Sequence, residues 1–126
     1  MQKKEIITPE APKAVGPYSQ GVVCGDFIFV SGQIPFTKEG KLVSEDVKDQ
    51  TRQSLLNIEA VLKACQSDKS KIVKTTIFLT DLTLFQSVNE VYANFFEGTV
   101  FPARSTIEVS KLPKDAKIEI EAIAKI

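Results

Sequence analysis

Arginine is scarce in this chain: apart from Arg52 and Arg104, every basic residue is a lysine. Arg104 sits in Thr99-Val100-Phe101-Pro102-Ala103-Arg104-Ser105-Thr106-Ile107-Glu108-Val109, among apolar or small neighbours, with Pro102 restricting the backbone just ahead of it. A guanidinium is a planar fork of donors that fits a carboxylate bidentately, a geometry lysine cannot copy. Its placement suits an anion; the alternative is an internal ion pair with Glu108 or Glu119. Glu119 raises the complementary question. It shares one face of a terminal β pattern with Glu121, and two acids so placed repel, so one of them calls for a cation or a donor, supplied across an interface. An ordinary surface ion pair of little consequence is the alternative.

Other residues able to do chemistry stand at turns and element ends. Tyr18 follows Gly16-Pro17, where its phenol could hydrogen-bond or stack on a ligand, or else cover the edge of the core. Ser31-Gly32 ends a β-rich run, and glycine permits close backbone approach there, unless it only terminates the strand. Asn89 lies inside a helical pattern although asparagine is a poor helix former, so its side chain is expected to bond a neighbouring loop or to face solvent.

What the chain lacks narrows the chemistry further. With 0 histidines, neither a Ser-His-Asp nor a Cys-His nucleophile can be assembled, and with only two distant cysteines no zinc site is expected. Neither GxxxxGK[ST] nor GxGxxG occurs. Catalysis must draw on Arg, Glu or Asp, hydroxyls, backbone groups and water. Lys+Arg 16 against Asp+Glu 16 leaves a formal net charge of +0, so binding to nucleic acid has no electrostatic support. Cys24 and Cys65 fall at a buried strand end and a helix end and read as reduced thiols. With no signal segment and no apolar stretch of bilayer length, a cytoplasmic protein is expected, with no membrane partner.

The elements that must position these residues follow from periodicity. Strands are expected over Glu5 to Thr8, Ser19 to Cys24 and Phe27 to Ser31, the last two joined by a tight Gly25-Asp26 turn. Val47 to Ala64 switches to helical spacing, with Val47, Thr51, Leu55, Ile58 and Leu62 on one stripe and Ser44 or Asp46 as cap. Lys71 to Thr80 alternates as a strand, Val73, Thr75, Ile77 and Leu79 forming one face. A second amphipathic helix carries Leu84, Val88, Val91, Tyr92 and Phe95, with Thr83 and Gln86 as a capping box. Ala103 to Val109 and Lys117 to Lys125 are the last strands. In the latter, Ile118, Ile120, Ala122 and Ala124 alternate with Glu119, Glu121 and Ile123. The order βββαβαββ describes one α+β domain over residues 1–126, a layer of mixed six-stranded sheet with two helices on one face. Apolar residues on the uncovered face, Phe78 and Ile123 among them, point to association with further subunits.

Five stretches, in order along the chain, are shared with one family: Gly16-Pro17-Tyr18-Ser19-Gln20-Gly21, Ser31-Gly32-Gln33-Ile34-Pro35, Val88-Asn89-Glu90-Val91-Tyr92, Phe101-Pro102-Ala103-Arg104-Ser105 and Leu112 through Ala122. From about Ala11 to Ala124 the chain resembles the RidA (YjgF) family, the 2-iminobutanoate/2-iminopropanoate deaminases. The resemblance implies a chorismate-mutase-like subunit in a homotrimer whose sheets form a central barrel, with ligand clefts between adjacent subunits. It implies that Arg104 grips the carboxylate of a 2-imino acid and Glu119 positions the hydrolytic water. Tyr18, Ser31, Gly32 and Asn89 would shape or support the pocket, with neither cofactor nor metal. At Thr106 the chain departs from many bacterial members, which have Cys there. Hydrolysis of an imine needs no covalent step, so Thr106 is expected to contribute backbone groups, shape and a hydroxyl. Two other functions compete: a non-catalytic trimer binding 2-oxo acids in the same cleft, and the ribonuclease or translation inhibitor of older family naming. Lys111, Lys114 and Lys117 offer the latter only a small basic patch.

Overall fold

The last strand of the chain occupies the middle of the molecule. In the computed structural model, which describes residues 2–126, β6 (Ile118–Lys125) lies between β3 (Phe27–Gln33) and β4 (Ile72–Leu79). Its alternation explains why. Ile118, Ile120, Ala122 and Ala124 are all buried, so the strand has one wholly apolar face to cover. β1 (Lys3–Ile6), β2 (Gly21–Cys24) and β3 form an antiparallel meander, and β5 (Ala103–Glu108) pairs parallel to β4 at the far edge. The sheet order is β1-β2-β3-β6-β4-β5. Two helices, α1 (Val47–Lys63) and α2 (Phe85–Phe95), make the crossovers and pack on the same face. The β2–β3 turn holds Gly25 at φ 62°, a conformation that glycine enters without a Cβ penalty.

Helix α1 starts where Asp46 caps it, its carboxylate accepting the Lys48 N–H at 2.7 Å. The stripe Val47, Thr51, Leu55, Ile58 and Leu62 is buried as its spacing predicts. Fully buried Gln50 belongs to the same helix. Its amide accepts the Lys117 N–H at 2.9 Å and donates to the Ser44 carbonyl at 2.9 Å, which pins the chain just before Glu119.

Several expectations are corrected. The first strand covers Lys3–Ile6 instead of Glu5 to Thr8, because the Thr8 N–H is taken by the side chain of Gln20. Val73 is 41% exposed and Ile72 takes its inward place, since a register shift between Ile72 and Lys74 reverses the alternation at the start of β4. The Thr83–Gln86 box is not formed. Asp81 receives both the Thr83 N–H and its hydroxyl, opening a single 3₁₀ turn that runs into α2. Cys24, expected at a buried strand end, is only partly buried; Cys24 and Cys65 are both free thiols, as expected.

No helix among the described residues is long and apolar enough to cross a membrane. The face of the sheet away from the helices carries Phe27 and Phe29, both 42% exposed, and Ile107, 46% exposed, beside half-buried Phe78 and Ile123.

Candidate active site

The register of the sheet divides the candidate residues into two groups on opposite faces. Arg104 pairs with Thr75, which is buried beneath α2, and two residues on Thr106 pairs with buried Ile77. Arg104 and Thr106 therefore belong to the helix-covered face, at the outer edge strand. Glu119 pairs with Phe78, three residues beyond Thr75 on β4, and so lies on the open face. One protomer cannot bring both side chains onto one small molecule.

At the edge, the guanidinium of Arg104 meets aromatic rings instead of acids. Its Cζ lies 4.8 Å from the centroid of Tyr92 and 5.4 Å from that of Phe85, both on α2. The three ion pairs among the described residues are Lys38–Glu10, Lys48–Glu90 and Lys63–Glu59, so neither Glu108 nor Glu119 claims Arg104. Glu108 instead accepts the Leu82 N–H at 2.9 Å. The Tyr92 hydroxyl is 2.7 Å from the Thr75 hydroxyl. Burial pushes the Tyr92 phenol up, against the opposing pull of the Thr75 hydrogen bond and of Arg104, so it stays neutral at physiological pH. Asn89 falls between the two ring positions in the helical stripe Phe85, Asn89, Tyr92. Its Oδ1 is buried without a hydrogen-bond partner, so the expected bond to a neighbouring loop is absent. An unmet acceptor on the helix whose rings hold a cation free of carboxylates is a group that a polar ligand reaching it would satisfy at a gain.

The second group lies around a break in β3. Register shifts between Val30 and Gln33, and the extra residue falls at Ser31-Gly32, next to β6. Gly32 is more than a strand end: a Cβ there would come within 2.8 Å of Cδ and 3.1 Å of Cγ of Glu119. Bare backbone lets this carboxyl lie flat against β3. Burial raises the pKa of Glu119, and the like charge of Glu121 raises it further. Ser31 donates its hydroxyl to the Ser19 carbonyl at 2.5 Å, and its N–H to the Gln20 carbonyl at 3.0 Å. Tyr18 does not cover the core: it is 51% exposed, its hydroxyl accepting the Val15 N–H at 3.4 Å. Pro17, Tyr18, Ser19, Phe29 and Ser31 line a shallow groove of about 360 Å³ on this side. A larger hollow of about 460 Å³, against the outer face of α1, contains none of the candidate residues. Among the described residues no three His, Cys, Asp or Glu side chains converge.

Three residues escaped the sequence reading. Gln20 is buried and bonds Thr8 at both N–H and carbonyl and the carbonyls of Ala11 and Pro12, fixing the segment that leads to Tyr18. Phe85 and Tyr92, read as helix core or not singled out, flank the guanidinium. The signal for them was their i, i+7 spacing around Asn89.

The geometry defines an α+β domain that carries, at one sheet edge, an arginine held clear of its own acids. That is the equipment of a protein handling small anions. Comparison with known proteins gives the lineage. The chain belongs to the family described as Endoribonuclease L-PSP, whose profile matches residues 8–126, and the RidA (YjgF) resemblance stands. It is 51% identical over 123 residues to the RutC family protein PH0854 of Pyrococcus horikoshii, covering 97% of each chain. It is also 51% identical over 123 residues to the 2-iminobutanoate/2-iminopropanoate deaminase of Salmonella typhimurium, covering 96% of each. Among solved structures it matches Escherichia coli TdcF with bound serine, at 46% identity, 98% coverage of both chains and a TM-score of 0.94.

Proposed function

We propose that this protein hydrolyses reactive 2-imino acids, such as 2-iminobutanoate and 2-iminopropanoate, to 2-oxo acids and ammonia. The observation that carries the reading is the Arg104 guanidinium, seated on Phe85 and Tyr92 with no carboxylate of its own chain upon it. Near-full-length identity to a deaminase of this name supports it.

The pocket forms between copies of the chain in a homotrimer whose sheets line a central barrel, as in chorismate-mutase-like subunits. Two observations support that assembly: Arg104 and Glu119 occupy opposite faces of one sheet, and Phe27, Phe29 and Ile107 leave the open face apolar. Arg104 of one copy holds the substrate carboxylate in its fork and offsets the charge that discourages attack at C2. Glu119 of another copy orients a water toward C2 and accepts its proton. Water adds to the iminium carbon and gives its proton to Glu119, the carbinolamine nitrogen takes up that proton, and the C–N bond breaks as the hydroxyl proton passes back to Glu119, releasing ammonia and leaving the 2-oxo acid. Asn89 Oδ1 accepts from the substrate side, Thr106 shapes the carboxylate end, and Tyr18, Ser31 and Gly32 shape the water end. A cytoplasmic location belongs to the same reading, supported by two unpaired thiols.

The test generates the imino acid in situ with a separate enzyme and follows oxo-acid release against a competing trap. Arg104→Ala is expected to lose turnover about 100-fold or more. Saturable oxo-acid binding without turnover by the wild type would indicate a non-catalytic small-molecule-binding module instead, a reading that the serine bound to Escherichia coli TdcF also supports. RNA cleavage that survives stringent purification and disappears in Arg104→Ala would restore the nuclease implied by the family description. Zero formal charge and 0 histidines count against it.

A further inference from the structure

A guanidinium that forms no ion pair with its own chain still has to be held in place, and the arrangement behind Arg104 shows how. An exposed arginine on an edge strand would sample many rotamers, and fixing them on binding would weaken any carboxylate it met. A carboxylate partner would fix the side chain but consume the donors the ligand needs. An aromatic face does the first without the second: it attracts the cation through its quadrupole and leaves the N–H groups free. The Tyr92 ring at 4.8 Å stands in that position, backed by Phe85 at 5.4 Å. The ring is itself immobilised. Tyr92 is 4% exposed, packs against Phe96 with centroids 4.8 Å apart, and is tied through its hydroxyl to Thr75 at 2.7 Å. Thr75 is also the residue paired with Arg104 across the β4–β5 ladder, so one threonine anchors both the strand position of the arginine and the ring beneath it.

We infer that Tyr92, locked by Thr75, is a positioning residue that holds the Arg104 fork ready for a substrate carboxylate. The inference rests on the reading of Arg104 as the carboxylate anchor and adds to it the element that makes the anchor selective for a charged, planar group. Tyr92 touches no reacting atom. Its contribution is to set the angle and to reduce the entropy lost when the fork closes on its ligand.

The experiment measures two ligands against four proteins by calorimetry, alongside turnover. The ligands are 2-oxobutanoate and its uncharged amide. The proteins are wild type, Tyr92→Phe, Tyr92→Leu and Thr75→Val, each checked for folding by circular dichroism and melting. Tyr92→Leu removes the ring and is expected to weaken 2-oxobutanoate about tenfold while leaving the amide within about twofold. The KM for imino acid should rise with it and kcat fall less. Tyr92→Phe keeps the ring and should retain most of the preference, losing about two- to threefold. Thr75→Val should resemble Tyr92→Phe, since both release the ring from the same hydrogen bond. A merely structural role would weaken both ligands equally and leave their ratio unchanged.

An unchanged carboxylate-to-amide ratio in folded Tyr92→Leu overturns the inference while wild-type turnover leaves the deaminase reading standing. A wild type that binds 2-oxobutanoate through Tyr92 yet hydrolyses no imine overturns the deaminase reading and supports the positioning role. A wild type with no preference for the carboxylate overturns both. If Tyr92→Leu does not fold, Tyr92→Phe and Thr75→Val decide: a carboxylate-to-amide ratio lowered about two- to threefold in both supports the inference, and an unchanged ratio in either overturns it.

Discussion

Gly32→Ala separates the placement of the Glu119 carboxyl from the stability of the protein. Gly32 does not occupy the left-handed region, so alanine fits its backbone and should even lower the entropy of the unfolded chain, worth about 0.4–1 kcal/mol. The added Cβ falls 2.8 Å from Cδ of Glu119, where ordinary contact begins at 3.4 Å, and Oε2 is nearer still. Nothing rigid stands in the way: the obstructed group is the far end of a flexible side chain, which can swing off β3. The two effects on folding offset, and the melting temperature should move by no more than about 3 °C either way. The carboxyl, however, is displaced by about 1 Å from the position at which it would orient water, a misplacement that costs on the order of 100-fold in kcat. Steady-state assays with imino acid generated in situ, paired with thermal melts, read both quantities on one preparation. Full kcat in folded Gly32→Ala would refute the assignment of Glu119 to water. A melting temperature lowered by 10 °C or more would show that the glycine serves the packing of β3 on β6 instead.

Three further outcomes follow from buried polar groups. Glu119→Gln should abolish most turnover yet stabilise the fold at neutral pH. Because burial and Glu121 raise its pKa in the folded state, the native protein binds that proton more tightly than the unfolded chain does. Wild-type stability is therefore lost as pH rises from the ordinary glutamate range through the raised value, and denaturation from pH 4 to pH 7 should show the variant's advantage growing over that window. Wild-type activity should show an acid limb above the usual carboxylate range, absent from the residual rate of the variant. Ser54→Ala should stabilise by about 1 kcal/mol, read as a melting shift of about 3–5 °C at fixed protein concentration, because the Ser54 hydroxyl is buried in α1 without a partner and alanine suits the helix better. Gln20→Ala should cost about 2–4 kcal/mol in urea denaturation, since it strips buried backbone groups at Thr8 and Ala11 of their partners. A loss under 0.5 kcal/mol would mean that water replaces the amide there.

Much of the architecture was legible from period alone. A strand whose alternate residues are Ile118, Ile120, Ala122 and Ala124 must turn that side to a core, and a stripe of Val47, Thr51, Leu55, Ile58 and Leu62 must meet it. Where local geometry interrupts the period, the reading slipped. A register shift exchanged Val73 for Ile72, and Asp81 supplied the cap that Thr83 and Gln86 were expected to form. Both are decisions of a single residue that propensity does not resolve.

The sequence by itself determined the chemistry available to this protein: no histidine, balanced charge, an isolated Arg104 in an apolar stretch, and acids alternating at Glu119 and Glu121. Those are properties of composition and spacing, and folding does not alter them. Which acid meets the arginine, and what lies beneath it, was decided only in three dimensions. Strand pairing put Glu119 and Arg104 on opposite faces of the sheet, and the α2 crossover carried Phe85 and Tyr92 to the guanidinium from 12 to 19 residues away along the chain. Contacts of that kind depend on register and crossover, which are fixed by burial of the whole core and not by any local run of residues.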